Sequence, residues 1–247
     1  MLPALYLIPV TLGDTPQSQV LPSYNRDIVS GIRHFIVEEV RTARRFLRQM
    51  DPTFDIDSST FYPMGKHALD QQADGRKASA AAVYASYLKP LEQGLPVGVI
   101  SEAGCPAVAD PGVLIVAIAQ RKGLRVVPLV GPSSMIMAVM ASGLNGQSFA
   151  FNGYLPVDAA ERQARLKQLE ARALSEHQTQ LFIETPYRNA KLFAAILAAC
   201  RPTTSLCIAA GITTASEWIH THTIAEWRHQ TLPDLSKTPA IFLIGRG

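Results

Sequence analysis

Two glycines and two prolines lie in one short stretch of this chain, directly after an apolar run. The run is Val97–Ile100, and the stretch after it, residues 101–112, reads SEAGCPAVADPG. Glycine adopts backbone angles that other residues avoid and proline fixes φ, so this stretch predicts a shaped loop. The apolar run predicts a buried parallel strand, and residues 113–121 predict a helix. Strand, rigid loop and helix together suit a ligand cradle at the carboxyl end of a parallel strand.

A second unit of the same kind follows along the chain. Residues 124–130 predict a strand, and the turn after it reads GPSS, with Ser133 or Ser134 as the N-cap of a helix that closes at Gly143. Two such strand ends would surround a crevice with backbone N–H and C=O groups, which suits a nucleoside-like ligand. The alternative for the first loop is a tight connection without a ligand. The chain contains neither a P-loop motif nor the G-x-G-x-x-G fingerprint of dinucleotide sites.

The order of strand and helix patterns predicts an α/β protein with two domains, residues 1–131 and 132–247. In the first domain, strands are expected at residues 4–10, 32–37, 97–100 and 124–130. Helices are expected at residues 25–30, 41–49, 79–92 and 113–121, and residues 51–63 are expected to be irregular. This alternation predicts a mostly parallel sheet with helices on both faces. In the second, helices are expected at 158–174 and 189–199, and strands at 179–184, 205–210, 217–223 and 240–245. Because helices do not separate every pair of strands there, the second sheet is expected to be mixed, with a ligand cleft between the domains.

Composition favours a cytoplasmic enzyme. The net charge of +3 gives weak support for a nucleic-acid partner. No apolar run approaches the roughly 20 residues of a membrane span, and the first residues do not look like a signal peptide. The three cysteines, Cys105, Cys200 and Cys207, lack metal-binding spacing and suggest a reducing compartment. The six histidines form no metal-ligand motif, so no metal is expected.

Several segments match a known pattern in order and spacing. The segments are LYLIPVTLGD (5–14), EEVR (38–41), SEAGCPAVADPG (101–112), VPLVGP (127–132), FNGYLP (151–156) and ETPYR (184–188). In the same order, they resemble six segments of one family: its first strand with the Pro-Thr-Pro-Ile-Gly-Asn loop, its Glu-Asp-Thr-Arg, its Asp-Ala-Gly-Thr-Pro loop, its Val-Pro-Leu-Pro-Gly-Pro, its Gly-Phe-Leu-Pro and its Glu-Ser-x-His-Arg. On these motifs the chain is identified as a member of the tetrapyrrole-methylase superfamily of S-adenosylmethionine-dependent methyltransferases. Within it, the chain resembles the small-subunit ribosomal RNA methyltransferase I group, which 2'-O-methylates a cytidine of 16S RNA.

The resemblance implies S-adenosylmethionine as cofactor, ribosomal RNA or the small ribosomal subunit as partner, and a homodimer. The implied cofactor-binding residues are Pro9, Ser101, Gly104, Cys105, Val108, Gly131, Pro132, Ser133, Ser134, Leu155, Pro239 and Ala240. A bulky side chain at Gly131 is expected to abolish donor binding by filling the crevice.

Two segments depart from the group's pattern. Residues 210–214 read AGITT, without the charges of the group's Arg-Glu-Leu-Thr-Lys, and residues 238–240 read TPA, as in other branches of the superfamily. These departures keep two alternatives open. One is a methyltransferase that acts on a tetrapyrrole precursor or a modified protein side chain. The other is a non-catalytic regulatory module that binds S-adenosylmethionine.

Three acidic residues are candidates for the base that takes the proton of an acceptor hydroxyl: Glu184, Glu39 and Asp110. Each has a structural alternative. Glu38 or Glu39 can pair with nearby arginines, Asp110 can cap the helix that follows it, and Glu184 can pair with Arg188. The expected substrate-binding residues are Glu38, Arg41, Arg44 and Arg188. Arginines 41, 44, 45 and 48 recur at helical spacing, and reversing the charge of Arg44 and Arg45 is expected to weaken RNA binding.

Overall fold

The computed structural model describes residues 2–65 and 79–246. The chain divides into two compact units, Met1–Pro132 (unit 1) and Ser133–Gly247 (unit 2). Among the described residues, no helix has both the length and the apolar character needed to cross a membrane.

Unit 1 is built on a sheet of five parallel strands. The strands are β1 (Leu5–Ile8), β2 (His34–Val37), β3 (Thr60–Pro63), β4 (Val97–Ile100) and β5 (Val126–Pro128), in the order β3-β2-β4-β1-β5. The helices are α1 (Gln17–Val20), α2 (Ser23–Val29), α3 (Val40–Met50), α4 (Ala80–Tyr87), α5 (Lys89–Glu92) and α6 (Gly112–Arg121). The predicted parallel sheet is confirmed.

Alternation along β1 explains why helices cover both faces of this sheet. Successive side chains of a strand point to opposite faces. Tyr6 and Ile8 belong to one apolar cluster, which includes Leu47 of α3. Leu5 belongs to a second cluster, which includes Ile115 of α6. Each face of the sheet therefore has its own apolar core, as the sequence predicts.

Two predictions for unit 1 were wrong. The stretch 51–63, expected to be irregular, contains β3, an edge strand that ends on Pro63 and carries no regular apolar alternation. The single helix expected over 79–92 is two helices, α4 and α5. Pro90 explains the break, because proline has no backbone N–H to donate and its ring collides with the preceding helical turn.

Unit 2 contains a mixed sheet of five strands, as predicted. The strands are β6 (Phe149–Tyr154), β7 (Thr179–Ile183), β8 (Ser205–Ala210), β9 (Trp218–Thr223) and β10 (Ala240–Gly245), in the order β6-β7-β10-β8-β9. The β6–β7 pair is parallel, whereas β7–β10, β10–β8 and β8–β9 are antiparallel. The helices are α7 (Ser134–Ser142), α8 (Ala159–Ser175), α9 (Asn189–Ala199) and α10 (Ile224–Trp227), and a 3₁₀ turn spans Pro186–Arg188.

Strand β6 was not predicted as a strand. Its pairing with β7 shifts register between Phe151 and Tyr154, and Gly153 has a φ of 65°. A glycine in a strand marks such an irregularity and weakens the sequence pattern. The predicted helix after the GPSS turn is confirmed: Ser133 is its N-cap and Gly143, with a φ of 69°, ends it.

The core of unit 2 lies between its sheet and two helices. The rings of Phe182 and Phe242 stack at a centroid distance of 6.2 Å, and both side chains are fully buried. Leu166 of α8 and Ile196 of α9 belong to the same apolar cluster. The two units therefore bury separate sets of apolar side chains.

Candidate functional site

Three loops contact one another at the carboxyl edge of the unit 1 sheet. They follow β4, β1 and β5, which are neighbours in the sheet, so their ends share one edge. The backbone N–H of Val10 donates to the carbonyl oxygen of Gly104 at 2.9 Å. The Cys105 thiol donates to the carbonyl oxygen of Pro132, with Sγ 3.4 Å from the oxygen. The structure thus brings together these predicted cofactor-binding residues of unit 1: Pro9, Ser101, Gly104, Cys105, Val108, Gly131 and Pro132.

The loops after β1 and β5 pack tightly at Gly131. A Cβ atom at this position would lie 2.3 Å from both Cβ and Cγ of Pro9. Next to it, the Asn25 side-chain amide donates to the carbonyl oxygen of Val130 at 2.7 Å. A side chain at position 131 would therefore strike Pro9 and disturb the loop packing itself. This steric effect comes in addition to the crevice-filling effect expected from the sequence, which stays a prediction.

The loop 101–112 is held in an unusual backbone conformation. Gly104, Ala107 and Ala109 all have φ values near +60°, at 67°, 65° and 60°. For alanine this left-handed conformation costs about 1–2 kcal/mol per residue. Asp110 holds the loop, because its Oδ1 accepts hydrogen bonds from the N–H groups of Ala107 (2.9 Å) and Gly112 (2.6 Å). Asp110 is therefore not the N-cap of α6, which is Pro111, but its carboxylate accepts the N–H of Gly112, the first residue of that helix.

Burial affects two carboxyl groups beside this loop. Burial raises the pKa of Asp110, whose Oδ2 is buried without a hydrogen-bond partner in the described part of the chain. Burial also raises the pKa of Glu38, and the neighbouring carboxylates of Asp110 and Glu102 raise it further. The Glu102 backbone N–H donates to Glu38 at 3.1 Å, which acts in the opposite direction. Negative charge on these groups is thus costly in the folded protein.

Replacing Asp110 by asparagine tests this cost. A carboxyl group whose folded pKa is raised stabilises the fold fully below its unfolded pKa, and this contribution is lost as the pH rises through the folded pKa. Asparagine can still accept from Ala107 and Gly112 but carries no charge. We therefore expect the stability of Asp110→Asn relative to the parent to increase from pH 4 to pH 8 in urea denaturation. Asp27→Asn, at an exposed position of α2, is the control, and an equal trend in both variants would contradict the prediction.

Glu184 and Arg188 form an ion pair in unit 2, at the end of β7. An Arg188 Nη2 lies 2.6 Å from Glu184 Oε2 and 2.7 Å from Oε1, and the Glu184 side chain is only 3% exposed. The Thr185 N–H also donates to Glu184, at 2.7 Å. The hydrogen bond from Arg188 to Glu184 raises the pKa of the arginine. The pairing that the sequence offered as an alternative for Glu184 is present.

Hydrogen bonds join the segment between β2 and the first turn of α3 to the 101–112 loop. Glu39 is the N-cap of α3, and its Oε1 accepts from the Arg41 N–H at 3.2 Å. The Thr42 hydroxyl donates to Glu102 at 2.5 Å, and Glu38 accepts from the Glu102 N–H. Sequence analysis missed Thr42 and Glu102, which are 60 residues apart and belong to no shared motif.

The remaining candidates lie in varied surroundings. The Arg44 guanidinium lies over the Phe61 ring at 5.6 Å and 3.8 Å from Asp57. The Arg41 side chain is exposed. In unit 2, Ser134 opens α7 after its N-cap Ser133, Leu155 and Ala240 are buried, and the Pro239 carbonyl accepts from the Gly211 N–H at 3.1 Å.

Comparison with known proteins gives consistent matches. The family model described as Tetrapyrrole (Corrin/Porphyrin) Methylases matches residues 27–227. A Vibrio cholerae protein named ribosomal RNA small subunit methyltransferase I is 32% identical over 189 residues, covering 75% of this chain and 57% of the relative. An Escherichia coli O157:H7 protein of the same name is 27% identical over 222 residues, covering 90% and 70%. The chain thus spans little more than half the length of the Vibrio relative.

Solved structures show the same fold. The methyltransferase CobJ aligns with a TM-score of 0.61 at 13% identity, over 99% of this chain and 94% of that one. Uroporphyrin-III C-methyl transferase from Thermus thermophilus, complexed with S-adenyl homocysteine, aligns with a TM-score of 0.54 at 16% identity, over 98% and 97%.

Proposed function

We propose that this chain, which belongs to the tetrapyrrole (corrin/porphyrin) methylase family, transfers a methyl group from S-adenosylmethionine to a ribose 2'-hydroxyl of ribosomal RNA. The observation that carries the proposal is the set of three loops packed at the carboxyl edge of the unit 1 sheet. Relatives named for methylation of small-subunit ribosomal RNA support the acceptor. The Thermus structure, which holds the demethylated form of the donor, supports the cofactor.

The loops of unit 1 fit this donor. S-adenosylmethionine, when bound, supplies a methyl group that is already activated by its sulfonium. The left-handed residues of the 101–112 loop fix a backbone that can offer N–H and C=O groups to a nucleoside. Val108 and Val130 are 49% and 71% exposed, which gives these loops apolar surface for an adenosine. The ligand cleft between the two halves, expected from the sequence, stays a prediction.

This chain's residues would orient the acceptor and accept its proton. Methyl transfer is an in-line displacement, so alignment of the reacting groups contributes much of the rate. Two of the candidate bases are less available: both Glu184 oxygens bind Arg188, and Asp110 binds two N–H groups of its own loop through Oδ1 while its Oδ2 is buried. Glu39, in contrast, is exposed. Glu39 has one oxygen bound to the Arg41 N–H, and no hydrogen bond to its Oε2 occurs among residues 2–65 and 79–246. We therefore favour Glu39 as the general base.

Replacing Glu39 by glutamine should lower kcat for RNA methylation by about 100-fold, a typical contribution of a positioned base. Glutamine keeps the N-cap hydrogen bond, so the affinity for S-adenosylmethionine and the stability should stay close to those of the parent. Glu161→Gln, in the first turn of α8, is the matched control. A kcat within twofold of the parent would exclude Glu39 as the base.

The proposed function is tested by transfer of labelled methyl to small ribosomal subunits from cells that lack this protein. Naked RNA and protein fractions are assayed in parallel. Label in the RNA that disappears when the acceptor nucleotide is 2'-deoxy would support the proposal. Label in a small-molecule or protein fraction would favour the second candidate, and binding of the donor without any transfer would favour a regulatory module.

One contact supports the second candidate, a tetrapyrrole precursor or a protein side chain as acceptor. The two segments that depart from the ribosomal RNA group's pattern, residues 210–214 and 238–240, contact each other. The Gly211 N–H donates to the Pro239 carbonyl oxygen at 3.1 Å. The sequence changes therefore lie at one place in unit 2 and could act together on acceptor choice.

Three finer expectations complete the proposal. The assembled small subunit is expected to be a better acceptor than naked RNA. The chain is expected to be a homodimer in sedimentation experiments and to occur in the cytoplasm, where ribosomal subunits are found.

A further inference from the structure

A trough follows one face of α3 in unit 1. At one end is a small cavity of about 120 Å³, lined by Thr42 and Arg45 of the helix and by Ser101 and Glu102 of the loop after β4. Gln49, further along α3, lines this cavity and also a larger one of about 600 Å³. Residues 42, 45 and 49 are three and four positions apart, so they share one face of the helix. The two cavities therefore adjoin along α3.

We propose that this trough binds a single strand of RNA, with the reacting ribose at the Ser101–Glu102 end and a neighbouring nucleotide in the larger cavity. This inference rests on the proposed function and names the path of its substrate. Thr42 and Gln49 are seven residues apart, about 10 Å along a helix axis. That length exceeds a ribose alone and leaves room for a neighbouring part of a chain-like ligand.

Charge in the trough suits the phosphates of such a strand. The Arg45 side chain is exposed, and among residues 2–65 and 79–246 it makes no hydrogen bond or ion pair. Its guanidinium is therefore available to a phosphate, and contacts of this kind position nucleic acids on proteins. At the far end, the Arg26 side chain is 55% exposed and lies 3.5 Å from Asp51. An arginine side chain thus lines each of the two cavities: Arg45 the smaller one and Arg26 the larger one.

The larger cavity has the size and lining of a nucleobase site. Its volume falls within the roughly 300–1,000 Å³ of ligand pockets, and Leu21 and Met50 supply apolar surface. The Gln17 amide is fixed, because its Nε2 donates to the Phe46 carbonyl oxygen at 3.1 Å. Its Oε1 is buried and has no hydrogen-bond partner in the described part of the chain. A buried acceptor without a partner is costly in the unliganded protein.

Binding of labelled oligoribonucleotides tests the inference. The probe is a mixed-sequence hexaribonucleotide, measured by fluorescence anisotropy at several salt concentrations, and S-adenosylmethionine binding is measured by calorimetry on the same proteins. Arg45→Glu removes the free cation, and Ser18→Trp fills the larger cavity from an exposed position on its wall without changing charge. Arg121→Glu is the charge-matched control, because Arg121 is exposed on α6, which packs on the other face of the sheet.

We expect Arg45→Glu and Ser18→Trp each to weaken hexamer binding at least tenfold, and Arg45→Glu also to lower the slope of log K against log salt by about one. Arg121→Glu should change binding by no more than about twofold, and the affinity for S-adenosylmethionine should be equal in all four proteins. Hexamer binding by both trough variants at the level of Arg121→Glu would overturn the inference.

The experiments distinguish failure of the trough proposal from failure of the proposed function. If the parent protein labels ribosomal RNA and both trough variants do so at the parent rate, the trough is not the substrate path although the function stands. If the parent neither binds the hexamer nor labels RNA in small subunits, both the inference and the RNA acceptor are wrong.

Discussion

Replacing Gly131 by alanine is expected to lower the free energy of unfolding by about 3 kcal/mol, the upper part of the range for overpacking. The added Cβ would lie 2.3 Å from two ring carbons of Pro9, and a proline ring cannot rotate away as a flexible side chain can. The loops after β1 and β5 would have to separate. Urea denaturation and thermal melting measure the loss, and the melting temperature should fall by several degrees.

Gly146→Ala is the control for this variant. A Cβ at Gly146 would lie 3.5 Å from Val139 Cγ1, an ordinary van der Waals contact. Its effect on stability should remain below about 1 kcal/mol. If Gly131→Ala kept the parent stability but lost the donor, the crevice-filling explanation from the sequence would be right and the steric one wrong.

Breaking the Glu184–Arg188 pair should destabilise unit 2 in either single variant, Glu184→Gln or Arg188→Met. The loss should be large in Arg188→Met, because the remaining carboxylate is almost fully buried. The double variant should lose less than the sum of the singles. A double-mutant cycle in urea denaturation measures that coupling, which we expect to be larger than that of a fully exposed helical pair.

Arg172 and Glu176 provide a matched comparison within unit 2. They have the same spacing of four residues, at 3.4 Å, but both side chains are about half exposed. Exposed helical pairs contribute only about 0.3–0.5 kcal/mol. Equal coupling in the two pairs would show that burial does not strengthen the first one. Normal stability of Glu184→Gln with a large loss of methyl transfer would instead favour Glu184 as the base.

The parts of the fold that the sequence predicts are those with strong local patterns. The all-apolar strand β4 and the α9 helix have the expected limits because their patterns are unambiguous. Strand β3 carries no apolar alternation and becomes a strand only by pairing with β2. The register shift in β6 and the break at Pro90 in the helical stretch 79–92 likewise depend on backbone geometry, which the pattern of apolar residues does not indicate.

The candidate site also has parts that local sequence patterns predict and parts that they do not. The clustering of loops 101–112 and 129–132 was predictable, because neighbouring parallel strands end at one edge. The ion pair of Glu184 and Arg188 was predictable from their spacing of four residues. The Thr42–Glu102 contact and the larger cavity beside α3 were not, because each joins segments distant in the sequence, and only the folded chain places them side by side.

Left-handed Ala107 and Ala109 also restrict which sequences this loop can evolve into. A β-branched residue at either position would raise the conformational energy beyond that of alanine, whereas glycine or asparagine would adopt the same angles more easily. Of the replacements that a single nucleotide change makes at an alanine codon, valine, threonine and proline would therefore be opposed by the backbone alone, before any effect on a ligand. The small side chains of the loop reflect a constraint on evolutionary drift that the backbone imposes by itself.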